Sequence, residues 1–111
     1  MITISSHVLD TALGRPARDV PVRLERLDGG QWSLVAQAVT DDDGRVLRLT
    51  PDAGVAAGTY RVTFDTEAYF GAGNRPVFYP RVDVVFVVTA GEHYHVPLLV
   101  SPFGYSTYRG S

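Results

Sequence analysis

The chain has 111 residues, no cysteine and a formal net charge of −2 at pH 7. Its length suits one domain, predicted to span residues 1–111. This net charge argues against a positively charged surface that binds nucleic acid or membrane. The absence of cysteine excludes disulfides and thiolate nucleophiles. The start of the chain lacks a signal-peptide pattern and the longest apolar run, 84–88, is too short to span a membrane, so we expect a cytoplasmic protein.

The dominant sequence period is two, which is typical of half-buried β-strands. In the first segment Ile2, Ile4 and Val8 share one face and leave His7 on the opposite face. Turns rich in Gly, Pro and Asp separate the segments, and one short helix is predicted at 67–73. We predict an all-β sandwich of eight strands, at residues 2–8, 20–27, 32–40, 46–50, 59–66, 81–89, 93–101 and 104–110.

The middle of the chain combines a strand with an acidic turn. Trp32, Leu34 and Ala36 share one face of the segment 32–40. The run DDDG (41–44) superficially resembles a calcium loop, but the spacing of an EF-hand and its distal glutamate are absent, so these aspartates are predicted to be turn residues. Arg45 follows this turn. An arginine at a turn is usually solvated, but its planar guanidinium is also suited to holding a carbonyl-rich ligand or an oxyanion.

The late strands are apolar on both faces. In the segment 81–89, Val85 and Val87 make the second face apolar as well. A sandwich strand needs only one buried face, so this pattern favours a second face that is covered by another subunit. A locally thick core with a strip of surface valine is the alternative.

The three histidines, His7, His93 and His95, are the first candidates for chemistry. Each alone is compatible with an ordinary surface or core residue. His7 and His95 lie opposite the main apolar set of their strands, and a partly covered imidazole suits a general base or acid. His93 and His95 could also chelate a metal with His7 as third ligand, although this spacing is weakly specific. No G-x-S-x-G motif or phosphate-binding glycine loop is present.

Four segments in order along the chain resemble the 5-hydroxyisourate hydrolases, enzymatic relatives of transthyretin. They are ITISSHVLDTALGRPA (2–17), TDDDGR (40–45), GTYRVTFDTEAYF (58–70) and HVPLLVSPFGYSTYRGS (95–111). The ending YRGS is the most specific of these motifs, and it favours the enzymes over transthyretins proper. The resemblance covers essentially the whole chain.

The resemblance implies a transthyretin-like β-sandwich that forms a homotetramer, a dimer of dimers, with active sites in the channel between dimers. It implies hydrolysis of 5-hydroxyisourate to 2-oxo-4-hydroxy-4-carboxy-5-ureidoimidazoline in urate degradation. His7, Arg45 and His95 match the catalytic positions of the family. His7, Arg45, Tyr108 and Ser111 are expected to bind substrate, with Ser111 at the chain end as a wall of the site. No metal or cofactor is required.

Two other classes of protein remain as alternatives. The first is a transthyretin-type carrier of a small ligand, which would not need His7, Arg45 and His95 together. The second is a structural or adhesion β-sandwich, a class usually found as a module in a longer secreted chain. Hydrolysis of 5-hydroxyisourate discriminates the enzyme from both.

Overall fold

The computed structural model describes residues 1–111, and it consists of nine strands and one helix. The elements in chain order are β1 (Thr3–Asp10), β2 (Arg15–Pro16), β3 (Pro21–Asp28), β4 (Gln31–Val39), β5 (Arg45–Val46), β6 (Gly58–Phe64), α1 (Thr66–Ala72), β7 (Val82–Val88), β8 (His93–Ser101) and β9 (Gly104–Thr107).

The strands form two sheets that enclose one core. One sheet has the order β2-β1-β8-β9, with β5 also pairing with β1, and the other has the order β4-β3-β6-β7. Strands β1 and β8 run parallel, whereas every other pair is antiparallel. Between the sheets lies a cluster of 18 buried residues, in which Tyr60, Phe64 and Phe70 are the largest side chains. The burial of Tyr60 and Phe64 follows from the alternation of side chains along β6, whereas Phe70 belongs to α1.

The predicted all-β sandwich with one short helix is confirmed. Each of the eight predicted strands overlaps an observed strand, although the segment predicted at 46–50 is reduced to β5. The sequence pattern missed β2, a two-residue strand that pairs with the end of β1. A strand of two residues carries no measurable alternation, so the pattern could not reveal it.

A bulge in β4 overturns one prediction about its faces. The register with β3 shifts so that Val35 has no partner, and this extra residue reverses the alternation. Val35 packs against the core, while Leu34 is 54% exposed. The predicted common face of Trp32, Leu34 and Ala36 is therefore wrong, because the pattern assumed an uninterrupted strand.

Helix α1 lies within one residue of its predicted bounds. Asp65 caps its N-terminus, since the carboxylate accepts a hydrogen bond from the backbone N–H of Ala68 at 2.9 Å. Phe70 anchors the helix in the core. With seven residues, this single helix falls far short of the length needed to cross a membrane.

Candidate active site

The parallel pairing of β1 and β8 brings a row of polar side chains together on the outer face of one sheet. Thr3 lies opposite His93 and Ser5 lies opposite His95. His7 is the next outward residue of β1, because every second side chain of a strand points to the same face. The intervening residues of β1, such as Ile4, are buried in the core. Two strands distant in sequence thus present their polar residues side by side.

His95 lies half-buried in this row. Its Nδ1 is hydrogen-bonded to the hydroxyl of Ser5 at 2.7 Å, and its ring centroid is 6.5 Å from that of His7. Burial lowers the pKa of His95 below its ordinary value, and the positive charges of His7, Arg45 and His93 lower it further. A lowered pKa keeps the imidazole neutral near physiological pH, which is the form that can accept a proton.

The acidic turn before β5 fixes the position of Arg45. The Asp41 carboxylate accepts hydrogen bonds from the backbone N–H groups of Asp43 and Arg45, both at 2.9 Å. Gly44 adopts φ +73°, and a Cβ there would overlap the carbonyl oxygen of Val8. The Gly44 carbonyl in turn accepts from the Val8 N–H at 2.7 Å. Asp41 is therefore a turn residue, as predicted, and this turn positions Arg45 next to β1.

Arg45 lies directly opposite His7 in the pairing of β1 with β5. Its guanidinium takes part in none of the ion pairs or side-chain hydrogen bonds of the chain, although most other arginines do. An arginine with uncommitted donors is available to bind carbonyl or anionic oxygen atoms of a ligand.

The predicted residues Arg45, His95 and Ser111 line one pocket of about 280 Å³. Ser5, Leu47 and His93 also line it, and none of its lining side chains is a carboxylate. The pocket thus combines several hydrogen-bonding side chains with the positive charge of Arg45, which suits a ligand with several carbonyl oxygens.

Tyr108 lies in a different place. It is 59% exposed and lines a second groove, of about 230 Å³, between the edges of the two sheets. Val84 and Phe86 give this groove an apolar wall, and His95 is the only residue that lines both the groove and the pocket. Within one chain, Tyr108 is therefore not brought to the side of His95 that faces Arg45, and its role in binding stays a prediction.

From the sequence, Ser5 was assigned no role and His93 was considered only as a candidate metal ligand, yet both are part of the same hydrogen-bonded cluster. The Ser5 hydroxyl also contacts Nε2 of His93 at 2.8 Å, and Nδ1 of His93 is bonded to the Thr3 hydroxyl at 2.7 Å. The i, i+2 spacing of His93 and His95 placed both on one strand face, but the hydroxyls that link them come from β1. Only the parallel register of β1 and β8, which the sequence pattern does not encode, could have revealed the cluster.

Gly110 was also missed as an individual residue. Its N–H donates to the carbonyl oxygen of His95 at 2.8 Å, and a Cβ at Gly110 would lie 2.5 Å from Cδ2 of the His95 ring. The backbone at this position therefore packs directly against the imidazole, and any larger residue would displace the ring.

The metal-binding alternative has no ligand set in this geometry. No group of three or more His, Cys, Asp or Glu side chains is arranged to hold a metal ion. Both ring nitrogens of His93 and Nδ1 of His95 are instead bonded to hydroxyl groups.

Comparison with known sequences identifies close relatives over nearly the whole chain. A profile of the HIUase/transthyretin family matches residues 4–110. The 5-hydroxyisourate hydrolase of Caulobacter vibrioides is 47% identical over 116 aligned residues, which cover 100% of both chains.

Solved structures with the same fold include both a hydrolase and a transthyretin. The 5-hydroxyisourate hydrolase of Klebsiella pneumoniae superposes with a TM-score of 0.90 and 39% identity, over 100% of both chains. Sea bream transthyretin in complex with thyroxine superposes with a TM-score of 0.91 and 34% identity, over 96% of this chain and 93% of that one. The fold alone therefore does not separate the two functions, and the side chains of the pocket must decide.

Proposed function

The chain belongs to the HIUase/transthyretin family, and from this premise we propose that it is a hydrolase that converts 5-hydroxyisourate to 2-oxo-4-hydroxy-4-carboxy-5-ureidoimidazoline in urate degradation. The observation that carries the proposal is the convergence of His7, Arg45 and His95. They come from β1, β5 and β8, respectively, and meet at one face. A site of two imidazoles and a free guanidinium supplies a base and an electrophilic donor, which are the two groups that amide hydrolysis requires.

His95 acts as the general base in this proposal. Water at neutral pH is a poor nucleophile, so a neutral imidazole must take its proton as the oxygen atom attacks a ring carbonyl carbon. Nε2 of His95 has no hydrogen-bond partner within the chain and is not sealed from solvent, so it is free to accept that proton. The protonated imidazole then donates this proton to the nitrogen of the substrate ring as the carbon–nitrogen bond breaks, and the carboxylic acid that forms releases its proton to solvent. His7, whose ring lies beside that of His95, orients the water.

Arg45 stabilises the negative charge that develops on the attacked carbonyl oxygen. Its guanidinium has no carboxylate partner, so its donors are available to the transition state without first breaking an ion pair. Ser111 lines the same pocket and contributes a polar wall for substrate. Tyr108 is proposed to contact substrate from the far side of His95.

The test is to generate 5-hydroxyisourate in situ by oxidation of urate and to follow its decay by ultraviolet absorbance. A metal chelator is present throughout, and the His95→Asn variant is assayed in parallel. We expect wild-type protein to accelerate decay in the presence of chelator, and His95→Asn to lose about 100- to 10,000-fold, the usual contribution of a histidine base. Decay no faster than the protein-free blank would overturn the proposed function.

The carrier alternative is less well supported. A carrier needs a shaped apolar channel, but it does not need a free arginine next to two imidazoles. The pocket of this chain is lined mainly by polar and cationic side chains, of which Arg45 and His95 are the most distinctive. Tight binding of a small aromatic ligand without any acceleration of 5-hydroxyisourate decay would favour the carrier.

We further propose that the chain assembles as a homotetramer, a dimer of dimers. Strand β7 is an unpaired edge whose outward residues Val85 and Val87 are 56% and 63% exposed, and Leu47 beside the pocket is 72% exposed. An apolar edge strand of this kind is normally covered by another chain. Sedimentation velocity tests this proposal, and a monomer at micromolar concentration would contradict it. The single-domain organisation and the cytoplasmic location stay predictions.

A further inference from the structure

A continuous chain of hydrogen bonds connects two hydroxyl groups and two imidazoles at the site. In order, it consists of the hydroxyl of Thr3, the ring of His93, the hydroxyl of Ser5 and Nδ1 of His95, with distances of 2.7, 2.8 and 2.7 Å. The parallel register of β1 and β8 creates this chain, since Thr3 pairs with His93 and Ser5 pairs with His95. One serine hydroxyl is thus shared between two histidine rings.

When both rings are neutral and the hydroxyl proton of Ser5 lies within this chain of bonds, proton counting allows two arrangements. A neutral imidazole has one N–H and one acceptor nitrogen, and a hydroxyl has one proton to donate. In one arrangement, Nδ1–H of His95 donates to Ser5, Ser5 donates to Nε2 of His93, and Nδ1–H of His93 donates to Thr3. In the other arrangement every bond is reversed, and the proton of His95 is on Nε2.

The surroundings favour the first arrangement. Nε2 of His95 has no hydrogen-bond partner within the chain, so no acceptor of the chain holds a proton on this nitrogen. The guanidinium of Arg45 has donors only, and its positive charge favours a lone pair over a proton on the near side of the ring.

We propose that Ser5 and His93 are positioning residues that hold the proton of neutral His95 on Nδ1 and so keep Nε2 free as the base. This inference deepens the proposed function. Its kinetic predictions rest on that function, whereas its prediction about the His95 tautomer does not. When Nε2 takes the proton of the attacking water, Nδ1–H remains bonded to Ser5, so no bond of the chain has to reverse during the step. The hydroxyl therefore supports both the neutral ring and the imidazolium that follows.

The tautomer of His95 can be measured without any substrate. Two-bond ¹H–¹⁵N NMR spectra of labelled protein at about pH 8, where an ordinary histidine with a pKa of about 6.5 is neutral, identify which ring nitrogen is protonated. We expect Nδ1–H in the wild type and a shift towards Nε2–H in Ser5→Ala. Ser5→Thr keeps a hydroxyl and is expected to restore Nδ1–H. A wild-type ring protonated on Nε2, or no change in Ser5→Ala, would overturn the proposal whether or not the chain hydrolyses 5-hydroxyisourate.

The control removes a comparable hydroxyl elsewhere. Thr11 also bridges to β8, since its hydroxyl donates to the carbonyl oxygen of Val100 at 3.2 Å, but it contacts no imidazole. Thr11→Val should leave the His95 spectrum unchanged. If Ser5→Ala does not fold, His93→Phe at an exposed position removes the acceptor of the Ser5 proton and should move the tautomer ratio in the same direction by a smaller amount. An unchanged ratio in that variant would equally count against the proposal.

Kinetics then separate positioning from packing. Ser5→Ala should lower kcat about two- to tenfold, which corresponds to the loss of one neutral hydrogen bond, with little change in KM, and Ser5→Thr should recover the rate. A tautomer shift without any loss of kcat would show that Nε2 of His95 is not the base. In that case the positioning role fails, while acceleration of 5-hydroxyisourate decay by the wild type would still uphold the hydrolase.

Discussion

Strand β1 contributes to two polar clusters, one on each face, and they differ in how completely their hydrogen bonds are satisfied. On the outer face lies the His95 cluster of Ser5, His93 and His95. The inward-facing residue at the end of the same strand, Asp10, belongs to the Asp10 cluster together with Tyr69 and Arg75. Alternation along a single strand thus separates the two clusters.

The carboxylate of Asp10 is fully committed. It is 0% exposed and accepts from Arg75 at 2.6 Å, from the Tyr69 hydroxyl at 2.7 Å and from the N–H groups of Ala12 and Leu13 at 3.1 and 3.0 Å. These bonds join the turn after β1 to α1 and the segment that follows it. A buried charge with so many donors is held in place and has no free lone pair for a ligand.

The His95 cluster, by contrast, is satisfied on one side only. Nδ1 of His95 is bonded to Ser5, while Nε2 has no partner in the chain, and the nearby guanidinium of Arg45 is equally free. The comparison suggests a criterion for polar clusters in a small β-sandwich. Where every bond is made, the cluster holds the fold, and where one oriented atom is left free, it is available for chemistry.

Substitution of His7 should show the largest effect and should act on turnover alone. His7→Asn removes the imidazole that orients the attacking water beside His95, so we expect kcat/KM for 5-hydroxyisourate to fall about 100-fold or more. The melting temperature should change little, because the half-buried ring of His7 makes no hydrogen bond in the chain. Near-normal turnover of the variant would remove His7 from the catalytic residues.

Substitution of Asp10 should do the reverse. Asp10→Asn leaves Arg75 without its ion-pair partner, and we expect a loss of about 3 kcal/mol in the free energy of unfolding, near the lower end for a broken buried pair because Arg75 keeps some solvent contact. The kcat of the folded fraction should remain within about twofold of wild type, since a small structural shift at the far end of β1 leaves the site intact. Urea unfolding and the decay assay measure the two quantities.

The matched control for Asp10 is an aspartate without partners. The side chain of Asp43 is exposed and makes no hydrogen bond or ion pair, so Asp43→Asn should change the free energy of unfolding by no more than about 0.5 kcal/mol. Equal destabilisation by the two substitutions would mean that the hydrogen bonds of Asp10 do not distinguish it from a surface carboxylate.

A glycine pair tests whether the orientation of His95 matters. Gly110→Ala places a methyl group 2.5 Å from Cδ2 of the ring, which must rotate or shift, so we expect kcat to fall about tenfold, in line with the sensitivity of catalysis to small displacements. Gly71→Ala in α1 meets nothing within 4 Å and should be neutral or slightly stabilising, by up to about 1 kcal/mol. If both variants have a normal kcat, the contact between Gly110 and the ring of His95 does not contribute to activity.

Much of the fold could be predicted because it depends on local patterns. Alternation located the long strands, and the acidic and glycine-containing runs located the turns, including the turn that carries Arg45. The pattern failed where a single residue changed the geometry, as at the bulge of Val35, or where a strand had only two residues, as in β2. Register and bulges are set by contacts between strands, which a pattern within one strand does not contain.

The site was predictable only in part, for the same reason. The alternation of side chains indicated that His7 and His95 face away from the main core, and the family resemblance indicated that Arg45 belongs to the site. Neither could show that Ser5 lies between two imidazoles, because that depends on β1 and β8 being parallel and in register. For Tyr108 the two sources differ. The family resemblance predicts that it lies at the site, whereas in the single chain it lines a separate groove.

Both clusters contain a group with a lowered pKa, but the chemical consequences are opposite. Burial alone would raise the pKa of Asp10, but hydrogen bonds from Arg75, from Tyr69 and from the N–H of Leu13 outweigh it and lower the pKa below 3.8, which favours the charged form. Burial and neighbouring positive charges lower the pKa of His95 below 6.5, which favours the neutral form. In both cases the folded state binds a proton less readily than the unfolded state, so protonation of either group destabilises the fold.

Acidification should therefore separate the two clusters. Activity depends on neutral His95, so kcat/KM should remain near its plateau as the pH falls to 6.5 and decline only below that value. The stabilisation by Asp10 is present above the pKa of the unfolded carboxyl and is lost only as the pH falls through the lower folded value, below 3.8. The difference in unfolding free energy between wild type and Asp10→Asn should thus persist at a pH where turnover has already fallen. If activity and this difference in unfolding free energy were lost at the same pH, one titration would govern both clusters. The assignment of catalysis to one face of β1 and of stability to the other would then be wrong.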